Sequence, residues 1–205
     1  MEVTPVEIRV LGCLIEKQRT TPDQYPLSLN ALRLACNQST NRDPVVEYDE
    51  RTIKAALDRM AHRGWTRFAG SASSRALKYR HLLNEALGLS DPELAVLAVL
   101  MLRGPQTPGE LKQRTDRMHR FGSPAEVVQT LESLAQRELV RRLERRPGQK
   151  EERYAQLLGG EAPAEQGPDP VPVEAPDGGD RLAEFEARLA RLESAFDELS
   201  ARFHG

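Results

Sequence analysis

Four segments in the first 126 residues share one pattern, in which a Ser or Thr is followed three positions later by Glu. They are Thr4-Pro5-Val6-Glu7, Ser90-Asp91-Pro92-Glu93, Thr107-Pro108-Gly109-Glu110 and Ser123-Pro124-Ala125-Glu126. In such a capping box the hydroxyl accepts a hydrogen bond from a backbone amide, and the carboxylate reaches back to the amide of the cap residue. Each segment also carries a proline where the first helical turn tolerates one. A chain with this many helix starts is predicted to be mainly helical.

The first part of the chain has the order of a winged helix. After the first capping box, apolar residues recur at helical spacing, and Gly64 ends a third amphipathic segment that Asp49 is placed to cap. Two runs with strand character flank a Gly- and Ser-rich turn. Three helices and a two-stranded hairpin are therefore predicted for residues 1–86. The predicted bounds are Thr4 to about Lys17, Leu27 to about Asn37 and Glu50 to Arg63 for the helices, and 65–69 and 76–82 for the strands.

The same order recurs in residues 87–158. The apolar run Leu94–Leu102 predicts a helix, two further capped helices follow, and residues 139–143 and 153–157 predict a second strand pair. The third helices of the two parts align without gaps. We therefore predict a mainly α fold with small β-hairpins, built as two winged-helix domains in tandem.

The end of the chain differs in composition. Residues 159–180 are rich in Gly, Pro, Asp and Glu, which predicts a disordered acidic linker. Residues 181–205 have an apolar residue at alternating spacings of three and four, which is typical of a heptad helix. This helix is expected either to pair with a second copy as a coiled coil, or to fold back or hold a partner. The apolar positions are Leu182, Phe185, Leu189, Leu192, Phe196, Leu199 and Phe203.

The run Leu94–Leu102 lacks a polar face, although a helix on a protein surface would have one. We expect it to be covered on two sides, by its own domain and by a second element. That element is either the first domain or a second copy of the chain. A homodimer is therefore predicted through Leu94–Leu102, through the C-terminal helix, or through both.

Several longer strings of the chain are distinctive. They are Gly12-Cys13-Leu14-Ile15-Glu16-Lys17-Gln18, Gln24-Tyr25-Pro26-Leu27-Ser28-Leu29-Asn30, Ala35-Cys36-Asn37-Gln38, Thr40-Asn41-Arg42-Asp43-Pro44-Val45, Leu102-Arg103-Gly104-Pro105-Gln106-Thr107-Pro108-Gly109-Glu110-Leu111 and Arg153-Tyr154. These strings resemble the bacterial YceH-like family, and the resemblance covers about residues 3–158. It implies a tandem winged-helix fold in a bacterial cytoplasmic protein, and it carries over no functional residue.

Cations on the open face of the third helix and on the two hairpins are candidates for contact with double-stranded DNA. Residues 1–89 carry 13 basic and 10 acidic residues, whereas residues 160–205 carry 4 and 11, so the front of the chain is the basic part. The hypothesis is a regulator-like DNA-binding protein. The same cations could equally form an ordinary solvated surface. The candidates are Arg51, Lys54 and Arg59 on the helix, Arg75 and Lys78 on the first hairpin, and Arg145, Arg146 and Lys150 on the second.

The net charge of −2 and the scarcity of cations on the third helix of the second domain favour an alternative, a protein–protein adaptor that does not bind DNA. A polar loop with five hydrogen-bonding side chains is expected either to satisfy its own polar groups through turns or to form a contact surface. These conformational or partner-contact candidates are Tyr25, Asn37, Asn41, Arg42 and Asp43.

Nothing in the sequence predicts reaction chemistry. Cys13 and Cys36 form no Cys-x-x-Cys pair, and the four histidines are scattered without metal-ligand spacing. The longest apolar run has nine residues, far fewer than the ~20 that a membrane-spanning helix needs. We therefore expect a cytoplasmic protein that is not an enzyme, with no catalytic residues, no metal, no cofactor and no membrane contact.

Overall fold

Helices dominate the computed structural model, which describes residues 3–70, 77–145 and 151–160. In these residues the helices are α1 (Pro5–Thr20), α2 (Leu29–Cys36), α3 (Glu50–His62), α4 (Leu83–Leu87), α5 (Asp91–Arg103), α6 (Pro108–Thr115) and α7 (Pro124–Gln136). The strands are β1 (Leu27–Ser28), β2 (Thr66–Phe68), β3 (Lys78–His81), β4 (Val140–Leu143) and β5 (Arg153–Gln156). The prediction of a mainly α fold with small β-hairpins is confirmed. The predicted linker and C-terminal heptad helix lie outside the described residues.

The predicted helix starts are formed by the predicted side chains. At Thr4 and Thr107 the box is reciprocal, since each hydroxyl accepts from the amide three residues on and the Glu carboxylate accepts from the cap amide. At Ser90 the amide and the hydroxyl both donate to Glu93 Oε2 at 2.8 Å. At Ser123 the hydroxyl caps the helix, but the Glu126 carboxylate accepts from Gly122 instead. Local sequence therefore determines where these four helices begin.

Two predicted bounds were wrong in ways that have a local cause. α1 continues to Thr20 because the hydroxyls of Thr20 and Thr21 donate to the carbonyls of Glu16 and Lys17 in its last turn. α2 begins at Leu29, not Leu27, because residues 27–28 pair with β3 as a short strand and Ser28 then caps the helix.

Two small antiparallel sheets accompany the helices. The first has the order β1-β3-β2, with Leu27 opposite Tyr79 on one side and Phe68 opposite Tyr79 on the other. The second pairs β4 with β5, and an isolated bridge joins Gln106 to Tyr154. The Gln106 bridge and β1 each precede a short helix and each pair with a central strand that contains a tyrosine.

The centre of the core is the packing of α1 against α5. All residues from Leu94 to Leu102 are buried within the single chain. A Cβ atom at Gly12 would lie 2.8 Å from Leu102 Cγ and 3.1 Å from Met101 Cβ, so the glycine permits the close approach of the two helices. The predicted burial of Leu94–Leu102 on two sides is confirmed, and the second covering element is α1.

Of the two covering elements that the sequence left open for Leu94–Leu102, the structure shows the first part of the same chain and gives no support to a second copy there. The side chains of Leu94–Leu102 have no exposed face left for another chain, because the first part of the same chain covers them.

In the described part of the chain, no helix combines the length and the apolarity that a membrane crossing requires.

Candidate nucleic-acid interface

The outward face of α3 is the first candidate surface. Ile53, Ala56, Leu57 and Met60 are buried, which leaves the opposite side of the helix towards water. Asp49 caps α3 by accepting from the Thr52 amide at 2.7 Å, so the helix begins at Glu50 as predicted. Arg51 is exposed on the first turn of this open side.

Lys54 lies one turn further along α3 and is paired with Asp58. Its Nζ lies 2.7 Å from Asp58 Oδ2, and this pairing raises the pKa of Lys54 above its ordinary value. The two side chains are 37% and 47% exposed, and such i,i+4 pairs stabilise a helix by only about 0.3–0.5 kcal/mol. Lys54 also lies 5.7 Å from the centre of the Phe68 ring, which joins the open side of α3 to strand β2.

Arg59 has a different role from Arg51 and Lys54. Its Nε donates to Glu7 Oε1 at 2.9 Å, and the Glu7 side chain is fully buried in α1. Burial alone would raise the pKa of Glu7, but the hydrogen bonds from Thr4 and Arg59 hold it below its ordinary value. Arg59 thus ties α3 to α1. It could reach a phosphate only by leaving a buried carboxylate without its partner.

The strand pair β2–β3 has three cations on its outward face. Thr66 and His81 are a registered pair with both side chains buried, so the alternating residues Arg67, Lys78 and Arg80 lie on the other face. Arg67 is directly opposite Arg80, and like charges opposite each other destabilise a sheet. Sequence reasoning named only Lys78 here. The period-two alternation in Thr66–Phe68 and Lys78–His81 would have identified Arg67 and Arg80.

The second strand pair is less available for an anion. Arg142 and Arg145 share the Glu152 carboxylate, at 3.2 and 3.8 Å. Between Pro124 and Gln136, α7 contains no Lys or Arg, and its exposed side includes Glu126 and Glu132. Three of the predicted contact residues, Arg75, Arg146 and Lys150, lie outside the described residues.

The candidates of the polar loop bond to the protein itself. Asn37 makes two hydrogen bonds with the backbone of Tyr48, at 2.8 and 3.0 Å. Asn41 accepts from Arg103, and the Asp43 amide donates to the Leu102 carbonyl at 2.8 Å. The Tyr25 hydroxyl accepts from the His81 amide, and burial raises the pKa of Tyr25 to about 12.

Arg42 is the centre of that loop. Its guanidinium is fully buried and donates to both oxygens of Glu16, at 3.2 and 2.6 Å, and to the Ala35 carbonyl at 3.1 Å. Burial would lower the pKa of Arg42, but Glu16 raises it above the ordinary value. Sequence reasoning missed Arg9, which is also buried and donates to the carbonyls of Cys36 and Pro44. These residues hold the loop in place rather than presenting it to a ligand.

The buried thiols Cys13 and Cys36 are both free. A hydrogen bond between them, together with burial, raises the pKa of Cys36 and keeps it a thiol. Across residues 3–70, 77–145 and 151–160, no group of three or more His, Cys, Asp or Glu side chains is placed to hold a metal ion.

Comparison with known proteins gives one family and a set of similar chains. The family described as "Protein of unknown function, DUF480" matches residues 3–149. A UPF0502 protein of Geotalea uraniireducens (strain Rf4) is 47% identical over 204 residues, which cover 98% of this chain and 91% of the relative. A UPF0502 protein of Geotalea daltonii (strain DSM 22248 / JCM 15807 / FRC-32) is 53% identical over 176 residues, which cover 83% of this chain and 80% of the relative. One of Solibacter usitatus (strain Ellin6076) is 43% identical over 204 residues, with 98% of both chains covered.

Proposed function

The chain belongs to the DUF480 family, and we propose that it binds double-stranded DNA as a regulator-like cytoplasmic protein. The proposed contact is the α3–β2–β3 surface, which we define by the cations Arg51, Lys54, Arg67 and Lys78. In this proposal residues 1–86 and 87–158 are two winged helices, and α3 is the helix that enters the major groove. The proposal assigns no reaction to the protein.

The observation that carries the proposal is the junction of α3 with the strand pair. Lys54 over the Phe68 ring brings the open side of the helix against β2. Phe68 lies on the Thr66 face of the strands, and Arg67 and Lys78 extend from the opposite face of the same two strands. The 13 residues of α3 form a helix about 20 Å long. Its diameter with side chains, about 10–12 Å, fits the width of a major groove, about 12 Å. The strands would then lie beside the groove, where long cationic side chains reach phosphates.

The ion pairs on this surface leave it able to bind phosphate. The Lys54–Asp58 pair is partly exposed, and exchange of one exposed carboxylate for a phosphate costs little. The Arg67–Arg80 register places two positive charges side by side, and a phosphate between them would relieve their repulsion. Among the described residues, the carboxylate that pairs with Arg80 is that of Glu85, at 4.0 Å.

The proposal is tested by fluorescence anisotropy of a labelled mixed-sequence duplex over a range of salt concentrations. Four phosphate contacts predict a slope of about −4 in log affinity against log salt, with the tightest binding near ~50 mM salt. The double variant R67Q/K78Q should bind more weakly and reduce the slope by about two.

The matched control is K112Q/R120Q, which removes two cations from the α6 region and leaves the α3–β2–β3 surface intact. It should bind as the unmodified protein does. No binding at ~50 mM salt, where electrostatic contacts are strongest, would refute the proposal. Equal losses in both double variants would move the contact away from α3 and β2–β3.

A second candidate function is a protein–protein adaptor that binds no DNA. Two observations favour it: Leu34 and Val45 are more than half exposed, and α7 carries no cation. An adaptor should keep its protein partner in the R67Q/K78Q variant and lose it in L34S/V45S. If the protein binds DNA instead, R67Q/K78Q should lose the co-purified DNA and L34S/V45S should keep it. Affinity purification of the two variants from the native host therefore distinguishes the functions.

We also propose a homodimer through residues 181–205, on the strength of their heptad spacing. Sedimentation velocity should give a dimer for the unmodified chain and a monomer for L189E/L192E, because a charge at two seam positions opposes pairing. A monomeric unmodified chain would rule out this interface.

A further inference from the structure

The C-terminal ends of three helices converge on a cleft of about 530 Å³. Lys17 and Thr20 come from the end of α1, Arg103 from the end of α5, and Arg114 from the end of α6. Each helix end favours a nearby cation, because its free carbonyls carry partial negative charge. Three such ends add about −1.5 of partial charge, and the cationic side chains gathered there exceed it. None of the lining residues belongs to α3, β2 or β3.

The charges that line this cleft are strongly unequal. Among the residues that the structure describes, four cations line it, namely Lys17, Arg103, Arg114 and Arg117, against one carboxylate, Glu16. Glu16 is already engaged by the buried Arg42, whose Nη2 lies 2.6 Å from Glu16 Oε2. Lys17 Nζ also lies 3.5 Å from Glu16 Oε2, so the charge of the cleft comes mainly from Arg103, Arg114 and Arg117.

The cations are close enough to repel one another. Burial first, and then the neighbouring charges of Arg114 and Arg42, lower the pKa of Arg103 below its ordinary value. Arg103 donates to the neutral Asn41 side chain, and Arg114 lies 3.4 Å from Glu110. An anion in the cleft would remove a repulsion that these partners leave in place.

The remaining walls fit a small organic anion. Thr20, Gln38, Thr40 and Gln113 offer hydroxyl and amide groups, and Val99, Leu102 and Met118 contribute an apolar part. The volume lies within the range of about 300–1,000 Å³ that is usual for small-molecule sites. Arginine forks also match the geometry of phosphate oxygens better than a single ammonium does.

From this geometry we propose that the cleft between the ends of α1, α5 and α6 binds a small molecule that carries two or more phosphate groups. Arg103, Arg114 and Arg117 hold the phosphates, and Lys17 adds charge at the rim. Because the cations come from separate helices, the bound anion links the first part of the chain to the second. The site is separate from the α3–β2–β3 surface and does not depend on DNA binding.

The test is isothermal titration calorimetry of the full chain with inorganic pyrophosphate, followed by ADP. One saturable site is expected for each probe. A charged hydrogen bond lost to a phosphate weakens binding by about tenfold or more, so R114Q and R117Q should each show that loss. The matched control is R120Q, because Arg120 is 87% exposed near the same helix and does not line the cleft.

Two further variants separate this site from the DNA surface. R67Q and K78Q should leave pyrophosphate affinity unchanged, since neither residue lines the cleft. Absence of saturable binding overturns the proposal, and so does an equal loss in R120Q or K78Q, which would indicate general attraction of anions. Either result leaves the DNA proposal standing. Circular dichroism of each variant verifies that a lost affinity is not a lost fold.

Discussion

At the scale of single residues, the buried guanidinium of Arg42 fixes the loop between α2 and α3. It joins the end of α2 to Glu16 of α1 through four described acceptor groups, including the Gln38 side chain at 2.8 Å. A buried charge is tolerated only when it is paired and hydrogen-bonded, and this one is. The loop therefore behaves as part of the core although its composition is polar.

Replacement of Arg42 by Met should lower the free energy of unfolding by about 3 kcal/mol, because the mostly buried Glu16 loses its two-oxygen partner and keeps Lys17, at 3.5 Å. Urea denaturation measures this loss. R33M is the control, since Arg33 pairs with Glu50 at 3.9 Å on the surface and should cost less than about 1 kcal/mol. Losses of similar size in the two variants would show that the Arg42 pair is not structural.

His81 makes the stability depend on pH. Burial, with smaller contributions from Arg19 and Arg80, lowers its pKa to about 4. Its Nε2 donates to Gln18 Oε1 at 2.6 Å, and Nδ1 is buried with no partner in the described part of the chain. The folded protein therefore holds the neutral ring, whereas the unfolded chain takes up a proton near pH 6.5.

Since the unfolded state binds the proton first, the free energy of unfolding should fall as the pH drops from about 6.5 towards 4, by at most about 3 kcal/mol. Urea titrations at several pH values measure the fall. H81Q keeps a polar group beside Gln18 and removes this titration, so its stability should be nearly flat from about pH 6.5 to about 5. Below that pH the lowered pKa of Glu7 adds a fall of its own. An equally steep fall in H81Q would assign the pH dependence to other groups.

At the scale of the elements, the contact between α1 and α5 organises the chain. The sequence of Leu94–Leu102 predicts burial on two sides because no polar face interrupts it. It does not identify the covering element, because an apolar run shows that a helix is buried but not which apolar surface packs against it. The covering element is α1, because the missing Cβ of Gly12 lets the two helices approach closely. This contact joins residues about 90 positions apart in the sequence, Gly12 and Leu102.

Gly12→Ala should destabilise the protein by about 1–3 kcal/mol, because the new Cβ would overlap Leu102 Cγ and Cδ2, at 2.8 and 2.9 Å. Gly109→Ala in α6 is the matched control. Its Cβ would meet Glu151 Oε2 and Thr107 Oγ1 at 3.9 Å, an ordinary van der Waals contact, so the helix preference of alanine should stabilise the protein by up to about 1 kcal/mol. Thermal unfolding compares the two. Stabilisation by Gly12→Ala would mean that α1 and α5 do not pack this closely.

The short strands show the limit of local prediction in another way. Residues 27–28 have the composition of a helix start, and only their pairing with β3 makes them a strand. The Gln106–Tyr154 bridge likewise depends on residues almost 50 positions apart. Capping boxes act within four residues and could be predicted, whereas these pairings could not.

At the scale of the whole molecule, the sequence predicted the mainly helical architecture because helix starts and apolar faces are local signals. It did not predict which cations are available. Arg51, Lys54 and Arg59 look alike in the sequence, yet Arg59 is held by a buried carboxylate of α1 and Lys54 by an exposed neighbour on its own helix. The difference depends on Glu7, which is 52 residues from Arg59 along the chain.

The central claim is that the α3–β2–β3 surface meets DNA, and hydrogen–deuterium exchange of the full chain with and without a saturating duplex tests it most directly. Binding should slow exchange in peptides that cover Glu50–His62, Thr66–Phe68 and Lys78–His81, and should leave α7 and β4–β5 unchanged. Unaltered exchange in α3 and in both strands, or slowing confined to α7 and β4–β5, would contradict the claim.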